Sequence, residues 1–224
     1  MSTTAEPYPL RSASAHADAG QDRLAAVAGI IAGPLFLVTI VLLTWAEYGF
    51  LRSRGWTVLD AHDVPWPSGL AVSHLGWVQI LNFAVTGALL LVFVRAVRHQ
   101  LPPRRSSRVA AALMTVMTAA IIASAAPTDR DFTTGPSTWH GWIHAIAFLV
   151  IVVCSIVTPL LTARALRGED RWRPLARVSG FVAGICAVSL LLVVLSQIGF
   201  YLFLITVFGW YTALAVRFLR LTTR

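Results

Sequence analysis

VSGFVAGICAVSLLLVVLSQIGFYLFLITVFGWYTALAV, residues 178–216, runs without a single charged side chain. A helix needs about 20 apolar residues to cross the ~30 Å hydrocarbon core of a bilayer, so this run is far too long for one crossing. The break at Ser196-Gln197-Ile198-Gly199 divides it into two spans joined by a tight turn. Working back towards the N-terminus, further uncharged runs extend over 24–46, 75–94, 109–128 and 141–163. The count is six. The spans are expected at about 24–48, 75–97, 109–127, 140–164, 177–196 and 199–219.

Composition agrees with that count. Of the 224 residues 57% are hydrophobic and only 12% charged, with a mean hydropathy of +0.71. No soluble domain of this size needs so much apolar side chain, so the class is an all-α integral membrane bundle. The net charge of +8 would suggest a nucleic-acid partner in a soluble protein, but topology accounts for it here. With six alternating spans, fifteen of the 18 basic residues, all arginine, fall on the side of the termini. Only Arg52, Arg54 and Arg130 fall opposite. That bias places both termini in the cytoplasm and the chain in the cytoplasmic membrane. Residues 1–22, rich in Ala, Ser, Thr and Asp, read as a disordered cytoplasmic tail without a signal-peptide core, and 23–220 as the membrane domain.

Two Gly-x-x-x-Gly patterns, Gly29/Gly33 and Gly180/Gly184, are expected to let helix backbones approach closely. Pro34 is expected to kink the first span. Trp45, Trp56, Trp66, Trp77, Trp139 and Trp142 gather at the outer boundary, where an interfacial aromatic belt explains most of them. The 51–70 loop between the first two spans is long enough to act as a lid.

The chemistry-bearing residues collect at the same outer end. His140 and His144 lie four residues apart at the start of the fourth span, on one helical face. Ionisable groups at a membrane are costly, so such a pair invites a functional reading. Asp129 and Asp131 follow the third span, and Ser68 and His74 precede the second. Gln79, Asn82 and Thr86 form a single stripe along the second span, and Glu47 and Gln197 end the first and fifth. An outward-open polar pocket of Glu47, His74, Gln79, Asn82 and Gln197 would collect these groups. A zinc ion held by His140, His144 and Asp129, with His74 as an alternate ligand, would polarise an ester or amide carbonyl, with Ser68 and Asp129 as catalytic groups. The plainer reading gives both imidazoles to headgroups, water or backbone. No Gly-x-Ser-x-Gly elbow and no phosphate-cradling glycine loop is present.

Gly33-Pro34-Leu35-Phe36, Pro67-Ser68-Gly69-Leu70-Ala71, Gly76-Trp77-Val78-Gln79, Asn82-Phe83, Gly87, Pro127-Thr128-Asp129 and His140-Gly141-Trp142-Ile143-His144 follow one another in an order that resembles the bacterial membrane family called domain of unknown function 998. The resemblance runs from about Gly29 to Leu219. The family often carries arginine after the glutamine near Gln197, where this chain has Ile198. Its serine, aspartate and His-x-x-x-His set is similar to that of the CREST superfamily of membrane hydrolases. That similarity implies a zinc-dependent lipid amidase-like site of Ser68, Asp129, His140 and His144. CREST proteins usually have seven spans with the paired histidines in the last, whereas here the pair opens the fourth of six. Two functions are therefore expected. One is metal-dependent hydrolysis of a lipid or lipid-like amide or ester at the outer leaflet, and the other is a non-catalytic binding, sensing or transport bundle. Membrane lipid is the expected partner.

Overall fold

The structure, a computed structural model, describes residues 11–60, 62–129 and 135–222. Hydrocarbon offers a backbone no hydrogen-bonding partners, so each crossing has to satisfy its own N–H and C=O groups, which a helix does. The chain forms α1 (Arg11–Ala46), the short α2 (Tyr48–Ser53), α3 (Gly76–Gln100), α4 (Arg105–Ala123), α5 (Trp139–Leu166), α6 (Arg173–Leu192) and α7 (Ile198–Thr222). Six of these are long and apolar enough to cross a membrane. There is no strand among the described residues. α1 begins at Arg11, inside the segment read as a polar tail, but its membrane-capable stretch starts at Gly20. It continues as helix through Pro34, as α5 does through Pro159.

Each long helix packs on the next in sequence, and α7 packs back on α1, so the six close into an up-and-down ring. Phe36, Phe93, Met114, Met117, Phe203 and Tyr211 fill its interior. The first glycine pair works as expected. A Cβ on Gly29 would stand 2.6 Å from the Phe93 ring and 2.9 Å from Ala215 Cβ, and one on Gly33 would stand 3.1 Å from Phe208. These glycines let α1 seat against α3 and α7. The second pair does not: a Cβ on Gly180 or Gly184 would meet nothing within 4 Å. That pair faces outward from the ring instead of into a helix contact.

Hydrogen bonds gather the chain reversals into two ends. At one end Arg95 bonds Gln21, His99 Nδ1 lies 3.2 Å from Asp22, Arg104 reaches Ala165 O at 3.2 Å, and Arg217 bonds Arg171 O. This is the arginine-rich end. At the other, Glu47 reaches Leu75 N at 2.8 Å, and the Tyr201 hydroxyl donates to Pro65 O at 2.5 Å. That second contact ties the 54–75 loop over the bundle. Trp56 packs under the loop, its ring 2.5 Å from where a Cβ on Gly69 would lie. Trp45, Trp77, Trp139 and Trp142 remain outside as an aromatic belt. The turn between α6 and α7 is pinned by Gly199, where a Cβ would lie 2.7 Å from Ser189 O and Val193 N.

Candidate functional site

α4 ends at Ala123, and the carbonyls just beyond it have no helical N–H to accept from. The two histidines of α5 supply the donors. His144 Nδ1 lies 2.9 Å from Ala126 O and 3.1 Å from Ser124 O, and His140 Nδ1 lies 2.8 Å from Pro127 O. A carbonyl oxygen only accepts, so each Nδ1 carries a proton, and in the neutral form of either ring the lone pair is at Nε2. Cations and donors are also favourable at a helix C-terminus.

Asp129 completes the exchange in the opposite direction. Its carboxylate is buried and accepts from Ser137 N (2.6 Å), Thr138 N (3.1 Å), Ser137 Oγ (3.3 Å) and the Thr138 hydroxyl. Thr138 is the N-cap of α5, its Oγ1 accepting from Gly141 N at 3.1 Å. The anion thus sits on the positive end of α5. The Thr138 hydroxyl first, and the Ser137 amide next, hold its pKa down to about 2. A Cβ on Gly141 would lie 2.4 Å from Asp129 Oδ2, which explains the glycine of His140-Gly141-x-x-His144. Pro127, Asp129, His140, Gly141 and His144 therefore form a reciprocal clamp. Side chains of α5 cap the end of α4, and the exit of α4 caps the start of α5.

A second carboxylate–imidazole pair stands at the same end. Glu47 is buried; its Oε1 accepts from Leu75 N, the N-cap of α3, and its Oε2 lies 3.5 Å from His74 Nδ1. His140 Nδ1 lies 3.7 Å from Asp129 Oδ1. The parallel is visible in the letters His74-Leu75-Gly76-Trp77 and His140-Gly141-Trp142. Those two Gly-Trp starts mark α3 and α5, the two spans that take an acid from the preceding helix exit.

Inside the ring lies a cavity of about 160 Å³. Phe36, Phe83, Phe148, Phe203 and Phe208 dominate its wall, Trp66 and Pro67 of the loop roof it, and Ser68, Ser124 and His144 supply its polar groups. The expected site residues are thus divided. Ser68 and His144 share the cavity, whereas Asp129 and His140 form the clamp beside it. Gln79, Asn82 and Thr86 do share a face, but not an open one. Asn82 Nδ2 donates to Phe36 O (3.1 Å) and Gln79 Oε1 (3.2 Å), and Thr86 Oγ1 lies 3.4 Å from Asn82 Oδ1. This ladder ties α3 to α1 and does not line the cavity, nor does Gln197, and the cavity is apolar where a polar one was expected. Gln79 Nε2 and Gln197 Oε1 have no hydrogen-bond partner among the described residues. His74 is exposed, and Asp131 lies outside the described residues.

The donor set does not fit zinc as expected. Two carboxylate oxygens offer about four lone-pair sites, and those of Asp129 already accept four hydrogen bonds. Among the described residues no three His, Cys, Asp or Glu side chains converge in a metal-holding group.

Six membrane-capable helices closed into a ring around an apolar cavity define a multi-pass membrane protein. No curated protein and no solved structure matches the chain. The chain belongs to the family described as "Protein of unknown function (DUF998)", whose model matches residues 30–217. That match contains both the clamp and the cavity.

Proposed function

We propose that this protein binds an apolar, lipid-like molecule inside the bundle, with Ser68 and His144 at the ligand's polar end. The observation that carries the reading is the cavity itself: an aromatic chamber with three polar groups confined to one end. Pockets of small ligands have this composition, a mostly apolar wall with a few orienting polar groups. An apolar cavity of about 150 Å³ is known to hold benzene, so one of 160 Å³ suits a ring or the end of an acyl chain. The His144 Nε2 lone pair accepts a hydrogen bond from a hydroxyl or amide on the ligand. The arginine bias supports an inward-facing arginine-rich end in the cell membrane, with the loop-roofed cavity near the outer leaflet.

The test is thermal unfolding of the purified full-length protein with decanol as the probe. The melting temperature rises with probe concentration by mass action. Ala145→Phe and Leu204→Phe, which fill the chamber, each abolish that rise. An undiminished rise in both variants would exclude the cavity as the binding place.

Hydrolysis is the second reading, without zinc. It is favoured by one observation, that Nδ1 anchoring leaves Nε2 of His144 basic in the cavity that also holds Ser68. Nε2 would take the Ser68 hydroxyl proton as the oxygen attacks an ester carbonyl, return it to the departing alcohol as the ester C–O bond breaks, and then deprotonate the water that releases the acid and restores Ser68. Release of p-nitrophenol from p-nitrophenyl decanoate, lost in Ser68→Ala, would establish it; binding of decanol without turnover of the ester would leave the protein a binder.

A further inference from the structure

The glycine pair that misses every helix contact leads away from the cavity, to the arginine-rich end. Gly180 lies on α6 at the edge of a cleft of about 310 Å³ formed by the turn between α5 and α6. Arg167, Arg173 and Arg177 line that cleft, and among the described residues none of their guanidinium groups has a hydrogen-bonding or ionic partner. Of the cleft's acids, Glu169 is engaged by Arg104 at 3.2 Å. Asp170 alone opposes three cations.

The electrostatics are unfavourable as they stand. α6 is a 20-residue helix with no acid in its own first turn, where Arg173 and Arg177 occupy its positive end, and the 3-10 turn that leads into it, Asp170–Trp172, supplies only Asp170. Cations repel that end, and an anion bound there relieves both the dipole and the arginine cluster. Neighbouring helices settle their termini differently: α5 has Asp129 and α3 has Glu47. At the start of α6 a single acid, Asp170, stands against three arginines, and the positive charge left over is the place for an external anion.

What carries the anion follows from the surface below. One turn deeper, Gly184 lies open on the same face of α6 as Gly180, beside the exposed side chains of Phe181 and Ile185. A glycine strip with apolar banks accepts a hydrocarbon chain, and its head is cationic. Arginine suits phosphate by its forked donors, and anionic lipids attract arginine near the cytoplasmic face.

We propose that the α5–α6 turn binds one anionic glycerophospholipid, its phosphate between Arg167, Arg173 and Arg177 and one acyl chain over Gly180 and Gly184. The site is separate from the interior cavity, and its test does not depend on what the cavity holds. Native mass spectrometry of the full-length protein, titrated with phosphatidylglycerol or phosphatidylcholine in mixed micelles, reads it directly. Wild type retains one phosphatidylglycerol with a preference of about tenfold or more over phosphatidylcholine. Arg167→Gln/Arg173→Gln/Arg177→Gln removes the preference, and Arg177→Gln alone reduces it, so the result does not rest on the folding of the triple variant. Gly180→Leu/Gly184→Leu weakens retention without lowering the melting temperature. Equal retention of the two lipids by wild type, or an unchanged preference in the arginine variants, overturns the proposal. So does glycerol 3-phosphate displacing the lipid at equal concentration, which would make the ligand a free phosphate. A glycine variant that changes cross-linked dimer yield but not lipid retention also overturns it, because the glycine face then serves a second copy of the chain.

Discussion

Gly141→Ala isolates the clamp in one methyl group. The added Cβ would lie 2.4 Å from Asp129 Oδ2, whereas ordinary contact starts at 3.4 Å, so the carboxylate must retreat by about 1 Å. Its hydrogen bonds from Ser137 and Thr138 amides, now 2.6 and 3.1 Å, then stretch beyond useful length. Disrupting an N-cap network costs about 0.5–2 kcal/mol. Alanine repays up to about 1 kcal/mol in helix propensity, less in a first turn. The expected balance is a destabilisation of roughly 1 kcal/mol, a fall of about 2–4 °C in melting temperature for a chain of this size. Unfolding followed by tryptophan fluorescence in detergent measures it. The decisive comparison is a double-mutant cycle with Asp129→Ala. Once the carboxylate is gone, Gly141→Ala should be neutral or should raise the melting temperature. An equal fall in both backgrounds would refute the contact as the cause.

The same carboxylate sets an acid limit. Its folded pKa of about 2 lies below the ordinary 3.8, so the unfolded chain binds its proton first. Its stabilisation is complete above about pH 4 and disappears as pH falls towards 2; melting curves of Asp129→Asn should lack that component of the acid loss. The two glycine motifs should separate cleanly. Gly29→Leu, driven into the Phe93 ring, should prevent folding, whereas Gly184→Leu should leave the melting temperature unchanged, and equal damage from both would contradict the outward face of α6. Tyr201→Phe removes the hydroxyl that holds Pro65 O, a loss of about 1 kcal/mol, and should speed amide exchange in the 54–68 loop without speeding it in α7.

Six crossings were legible because bilayer thickness converts directly into residue count, and residues 178–216 could not be read otherwise. The finer packing was only half legible. Gly29/Gly33 and Gly180/Gly184 are the same pattern with opposite fates, because spacing defines a small-residue face and not the direction it points. The histidine pair was correctly placed on one face at one end. Its partners were hidden because backbone carbonyls of residues 124, 126 and 127 have no letter in a sequence. Gln79, Asn82 and Thr86 looked like a cavity stripe for a related reason: Asn82 bonds the carbonyl of Phe36, on a helix 46 positions away. The apolar cavity could not be read at all, since its phenylalanines resemble any other core until the ring closes around them.

That closure depends on the order in which the chain is made. The notch cut into α1 by Gly29 and Gly33 is filled by Phe93 of α3 and by Phe208 and Ala215 of α7, a helix made after the other five crossings of the ring. Until then α1 has only one of its two ring neighbours, and the α7 side of the notch stays unfilled. Loss of α7 would therefore open the ring at its seam and strip Phe36 and Phe93 of Phe208 and Phe218, the rings that cover them.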